Sequence, residues 1–332
     1  MPVMRELIEE RKTVKVVTGK VAAELIPAEF DRLDIPGLSQ MKNTTRDALA
    51  NFEDIRAVVD AVEPRVVVTG VAYATQAQIL DAFQAENIPA AAYWDNMNRT
   101  GENPYFKTAE EVAEIATFLL VPTYDLGNSF STRCFVVGQP TLEMWEKEVA
   151  QMDPIELRQQ LGICPCKNVI LFVGGYGEEY QQSLELFASS LKKRDGPPDL
   201  FVLVQPHPKA KDGALEQSVL EMVDVPFRIL HNEVTTQQAV ALSTLVACHQ
   251  STVSFQALAA KKPVIHFIPE SQSFTTVPLE LGLSQKVVSP DDFPVAWEQA
   301  LQATGEKDFF ALIQAPRNSA KLCAETLLGL FE

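Results

Sequence analysis

The sequence is short of positive charge: 28 Lys and Arg stand against 44 Asp and Glu in 332 residues, a net charge of -16. Such a surface repels a phosphate backbone or an anionic membrane, which argues against nucleic acid as a partner. Any bound anion must then be met by local dipoles and a few basic groups. Cysteine is scarce and scattered, at Cys134, Cys164, Cys166, Cys248 and Cys323, which excludes a disulfide framework. Cys164-Pro165-Cys166 lacks the two-residue spacer and the second ligand pair of a metal site, so reduced thiols are the simpler reading. Long apolar runs are missing as well. No stretch approaches the ~18 residues of a membrane span, and residues 1–12 are charged where a signal peptide needs an apolar run. These absences point to a cytoplasmic globular protein with no integral membrane segment.

What is present has a repeating order. The length favours two domains, each large enough for its own core. Short β-branched runs at 14–18, 65–69, 90–94, 118–122 and 134–137 alternate with helical patterns. Continuous apolar strands of this kind belong to parallel sheets buried on both faces. Between them, Phe52, Ile55, Val59 and Val62 share one helical face, as do Ile79, Leu80 and Phe83. A second series runs through 168–173, 200–204, 227–230, 245–248 and 263–267. Tyr180, Leu184, Phe187 and Leu191 make an apolar stripe within it, and Leu215, Val219 and Met222 another. The fold class predicted is α/β with two βαβ domains. A connecting helix and linker lie between Thr141 and Lys167, and Pro316 breaks the helical tail.

In parallel α/β sheets ligands lie beyond the carboxyl ends of strands, so the informative residues are those that follow the strands. After 168–173 comes Gly174-Gly175-Tyr176-Gly177, neither a dinucleotide fingerprint nor a P-loop, and equally readable as a tight turn or a binding loop. After 200–204 comes Gln205-Pro206-His207-Pro208-Lys209-Ala210-Lys211, a stiff segment with local positive charge that suits an anion. After 245–248 comes His249-Gln250-Ser251-Thr252, with Ser251 placed as the N-cap of a helix whose amides face an anion. An ordinary cap is the bland alternative for Ser251, and a surface histidine in a turn the bland alternative for His207.

The combined order, closed by Ala257-Leu258-Ala259-Ala260-Lys261-Lys262-Pro263-Val264-Ile265, resembles the donor half of a GT-B glycosyltransferase over residues 168–268. The His-Pro and Ser-Thr pair is similar in particular to those of bacterial sialyltransferases and Kdo transferases, whose donors are CMP-sugars. The resemblance implies two Rossmann-like domains facing across a cleft: an acceptor domain at 1–150, a nucleotide-sugar donor domain at 151–315, and a helix at 316–332 packing back on the first. It implies metal-independent transfer, with no cofactor besides the nucleotide-sugar donor, to a saccharide or glycoconjugate acceptor. By the same resemblance His207 meets and stabilises the departing phosphate, and Ser251 and Thr252 bind that phosphate or the donor carboxylate. Gly174, Gly175 and Gly177 are the candidate phosphate loop, and His231, at a strand end, is the candidate for contact with the nucleotide base.

An inverting transfer also needs a base for the incoming hydroxyl proton, and Asp95, just after the strand 90–94, is the candidate. A loop carboxylate or helix cap is the bland reading of Asp95. Lys20, Tyr73 and Thr75 follow other strands of the first half and could line an acceptor pocket. His266, inside a strand, reads as a core histidine. The rival readings are a CDP-alditol phosphotransferase, a nucleotide-sugar 2-epimerase, and a catalytically silent GT-B protein that binds without turnover.

Overall fold

The computed structural model describes residues 2–10, 12–16, 27, 29–32, 56, 59–60, 62–71, 74–97, 104–165, 167–192, 199–210, 213–303 and 308–330. The chain forms two compact units. Unit 1 takes Met1–Pro140 and Gln314–Glu332, and unit 2 takes Thr141–Ile313.

Unit 1 holds a short parallel pair, β1 (Lys15–Val16) and β2 (Asp31–Arg32). Beside it in sequence runs a four-stranded parallel sheet of β3 (Val67–Thr69), β4 (Ala90–Tyr93), β5 (Phe118–Val121) and β6 (Cys134–Val136), paired in that order. Side chains alternate between the faces of a strand, and β4 and β5 use both. Ala90, Ala92, Trp94, Leu119 and Val121 join one core with Leu80 of the helix Ala74–Ala85 and Val112 of the helix Pro104–Ile115. Ala91, Phe118 and Leu120 join another with Cys323 and Leu327 of the helix Ser319–Gly329, which also packs on the helix Pro2–Glu9. Trp94, fully buried at the end of β4, pins the point where the chain leaves the sheet toward Asp95.

Unit 2 is a six-stranded parallel sheet of β7 (Asn168–Val173), β8 (Leu200–Gln205), β9 (Phe227–Ile229), β10 (Leu245–Cys248), β11 (Val264–Phe267) and β12 (Gln285–Val287). Its spatial order is β12-β11-β10-β7-β8-β9. The chain builds outward from β7 to one edge, returns to β10, and builds to the other edge, so the strand order reverses between β7 and β10. The stripe Tyr180, Leu184, Phe187 and Leu191 of the helix Glu178–Leu191 is buried against Ile170, Phe172, Val202 and Phe267, as its spacing predicts.

The second predicted stripe is different. The helix is Ala214–Leu220 and buries Glu216, Val219 and Leu220, while Leu215 is exposed and Met222 lies beyond its end, 65% exposed. The helix is turned so that Glu216 meets the hydroxyl of Tyr180, and that bond outranks the apolar spacing. The Thr141–Lys167 segment contains two helices, Pro140–Ala150 and Pro154–Gln160, the second capped by the Asp153 carboxylate. Pro316 falls in the gap between the helices Phe309–Leu312 and Ser319–Gly329. Phe52 and Ile55, assigned to a helix face above, lie outside the described residues. No described helix is long and apolar enough to cross a membrane.

Candidate functional site

Register places the loops of unit 2. Val173 at the end of β7 is level with Gln205 on β8 and Cys248 on β10. Gly174, Pro206 and His249 therefore leave the sheet side by side, at the point where the strand order reverses. The first two loops touch. A Cβ at Gly174 would meet the His207 amide nitrogen at 2.8 Å and the Gln205 carbonyl oxygen at 2.9 Å, so only glycine lets the strands' exits lie this close. The Gly174 amide donates to that same carbonyl at 2.8 Å.

His207 is half-buried, and its Nδ1 accepts a bond from the Lys209 amide at 3.0 Å. Partial burial and the neighbouring Lys209 ammonium hold its pKa below the usual histidine range. With Nδ1 occupied as an acceptor, the neutral ring carries its proton on Nε2 and presents a donor. The helix Glu178–Leu191 starts at Gly177, whose φ of +91° suits glycine, and no side chain caps its first amides.

Across β7 from His207, the loop after β10 arranges its groups less simply than the sequence suggests. The helix is Val253–Ala259, so Thr252, not Ser251, occupies the N-cap position, and Thr252 makes no side-chain cap bond. Ser251 supplies the bond from one residue earlier, its Oγ accepting from the Val253 amide at 3.2 Å. A hydroxyl used as an acceptor keeps its own O–H for a ligand. Thr252 is exposed.

His249 is buried and is tied to a different loop. Gln272 donates through its amide nitrogen to the Glu179 carbonyl at 3.0 Å and to Gln182 Oε1 at 3.1 Å, leaving its Oε1 to accept from His249 Nε2 at 2.9 Å. The loop after β11 thus braces both the start of the Glu178–Leu191 helix and the loop after β10. His231 is exposed beyond edge strand β9, its amide donating to the Glu233 carboxylate. His266 is a core histidine, as expected: fully buried, with Nδ1 2.9 Å from the His249 carbonyl oxygen.

In unit 1, Asp95 is exposed, and its carbonyl accepts from Gln139 at 3.1 Å. Tyr93 donates toward the Gly138 carbonyl or Gln139 Oε1, each at 2.9 Å. Burial drives the Tyr93 phenol pKa strongly upward, with Cys323 and Asp95 adding in the same direction. Lys20 and Tyr73 lie outside the described residues; Thr75 is in the first turn of the helix Ala74–Ala85, but its side chain is likewise outside the description.

No protein-family model and no curated protein sequence matches the chain. Solved structures do. The chain is similar to UDP-GlcNAc 2-epimerase from Neisseria meningitidis bound to UDP-GlcNAc, at 18% identity and a TM-score of 0.73, over 99% of this chain and 95% of that one. It is similar to UDP-GlcNAc 2-epimerase from Methanocaldococcus jannaschii at 16% identity and 0.72, over 99% and 95%. It is also similar to MurG from Acinetobacter baumannii at 12% identity and 0.61, over 99% and 94%. The fold is GT-B.

Within this GT-B chain the structure adds residues that the sequence motifs pass over. Tyr180 packs its ring under Gly175, where a Cβ would come within 2.6 Å of it, and donates its hydroxyl to buried Glu216 at 2.7 Å. Gln272 is hydrogen-bonded to Glu179 and Gln182 across sequence separations of 93 and 90. Tyr176 lies over His207, ring centroids 4.8 Å apart. No periodicity signals such contacts, because they join loops that only the sheet brings together.

Proposed function

We propose that the protein is an enzyme acting on a nucleotide sugar, moving the sugar to a saccharide or related acceptor. The observation that carries this reading is the level exit of β7, β8 and β10, which gathers the glycine loop, His207 and Ser251 at the reversal of strand order. In sugar transfer, negative charge develops on the departing phosphate, and a positioned donor helps most where that charge appears. His207 Nε2–H is such a donor. β8 and β10 are two places apart, roughly 10 Å at the sheet. His207 and Ser251 accordingly hold neighbouring parts of one ligand, Thr252 serves beside Ser251, and His231 lies toward the base. Asp95 is the candidate base for the acceptor hydroxyl.

A second reading is favoured by the similarity to two 2-epimerases: inversion of a sugar carbon while the substrate remains a nucleotide sugar. Incubation with CMP-, UDP-, GDP- and CDP-linked sugars, with and without saccharide acceptors, separates the two. Acceptor-dependent release of nucleotide supports transfer. Acceptor-independent conversion of one nucleotide sugar into its epimer supports the second reading. Binding without turnover across the panel overturns both in favour of a silent binding protein.

A further inference from the structure

The loop after β7 is built almost without side chains. Gly174 is pressed on the His207 amide, Gly175 on the Tyr180 ring, and Gly177 sits at a positive φ. The one side chain in this tightly held stretch is Tyr176, and it is 59% exposed. An exposed ring is ordinary by itself, as Tyr124 at 56% shows; what sets Tyr176 apart is its place on the glycine loop beside His207. Its ring lies 4.8 Å from the His207 ring, and Lys209 Nζ stands 4.7 Å from its centroid. Lys209 Nζ thus lies over the Tyr176 ring and the His207 ring packs beside it, while the residue as a whole stays largely exposed.

We infer that Tyr176 is the ligand-stacking residue of this site, receiving the flat face of a ring, sugar or nucleobase, carried on the phosphate that His207 and Lys209 hold. The inference rests on the nucleotide-sugar reading above. Aromatic rings stack on bases and on the apolar faces of sugars with little regard to their polar substituents, which suits a residue that contributes affinity beside groups that fix orientation.

The test is calorimetric titration of wild type, Tyr176→Phe and Tyr176→Ala with pyrophosphate, with CDP and UDP, and with CDP-glucose and UDP-GlcNAc. Thermal unfolding of each variant checks the fold, and the exposure of the ring predicts no loss. Tyr176→Ala should weaken the ring-bearing probes about tenfold or more and leave pyrophosphate unchanged, while Tyr176→Phe keeps wild-type affinity. Loss already present with CDP or UDP assigns the base; loss confined to CDP-glucose or UDP-GlcNAc assigns the sugar. Equal loss for pyrophosphate, no loss for any probe, or tighter binding overturns the inference, the last by showing that the ring merely covers the anion donors. A wild-type protein that binds none of the probes overturns the nucleotide-site reading itself, and the inference with it.

Discussion

His207 is kept neutral by the same loop that aims it. Because its pKa is depressed, lowering the pH through that value adds a positive charge at the proposed phosphate position. Affinity for a nucleotide sugar, whose diphosphate diester gains no proton in this range, should rise as pH falls below the usual histidine range, and His207→Asn should flatten the profile. His207→Ala should weaken binding or turnover by about one to two orders of magnitude, since a hydrogen bond to a charged group is lost. Asp95→Asn keeps shape and removes basicity. If Asp95 accepts the acceptor proton, turnover drops ~10²–10⁴-fold with donor binding unchanged, and near-normal turnover removes it from the mechanism. His266 answers to pH in a different way. Burial holds its pKa down to about 4, and its Nε2 is enclosed with no partner among the described residues. The unfolded chain binds that proton near pH 6.5, so the folded state loses roughly 3 kcal/mol as pH falls from about 6.5 to 4. Denaturant titrations across that window should show the loss, and His266→Asn should reduce its slope.

At the scale of elements, the most demanding feature is the contact between the exits of β7 and β8. Gly174→Ala would force a methyl into the His207 backbone, an overpacking that costs about 1–3 kcal/mol. The expected result is a lowered melting temperature together with weakened nucleotide binding, read by thermal unfolding and calorimetry. Gly177→Ala, with open space around its Cβ position, should perturb only the backbone conformation. The strands were legible in the sequence where both faces are buried, because runs such as 168–173 and 245–248 are apolar throughout. β12 was not. It lies at the sheet edge, is only partly buried, and places Gln285 and Lys286 beside a single buried Val287, so no apolar run marks it. The glycine loop, His207 and Ser251 were visible as motifs that follow strands. The Ser251 cap and the Met222 stripe differ from expectation by a residue or a face: Gly213 and buried Glu216 set the start and turn of one helix, and the other begins after Thr252 with Ser251 Oγ still bonded to the Val253 amide.

For the whole molecule, the division into units makes a prediction that no motif carries. Unit 1 includes the helix Ser319–Gly329, whose Cys323 and Leu327 complete the core under β4 and β5. A chain truncated after Ile313 should lose the unfolding transition of unit 1, expose Ala91, Phe118 and Leu120 to proteolysis, and retain the transition of unit 2. Retention of both transitions would show that the helix is dispensable. The same arrangement has a consequence for synthesis. Domains ordinarily fold in the order in which they emerge from the ribosome. Here unit 2 is one uninterrupted stretch, whereas the earlier-made unit 1 waits for a helix translated after the whole of unit 2. The later half is therefore the first that can finish, and the face of β4 and β5 that carries Ala91, Phe118 and Leu120 lacks its Cys323 and Leu327 cover in the nascent chain until residues 319–329 have been made.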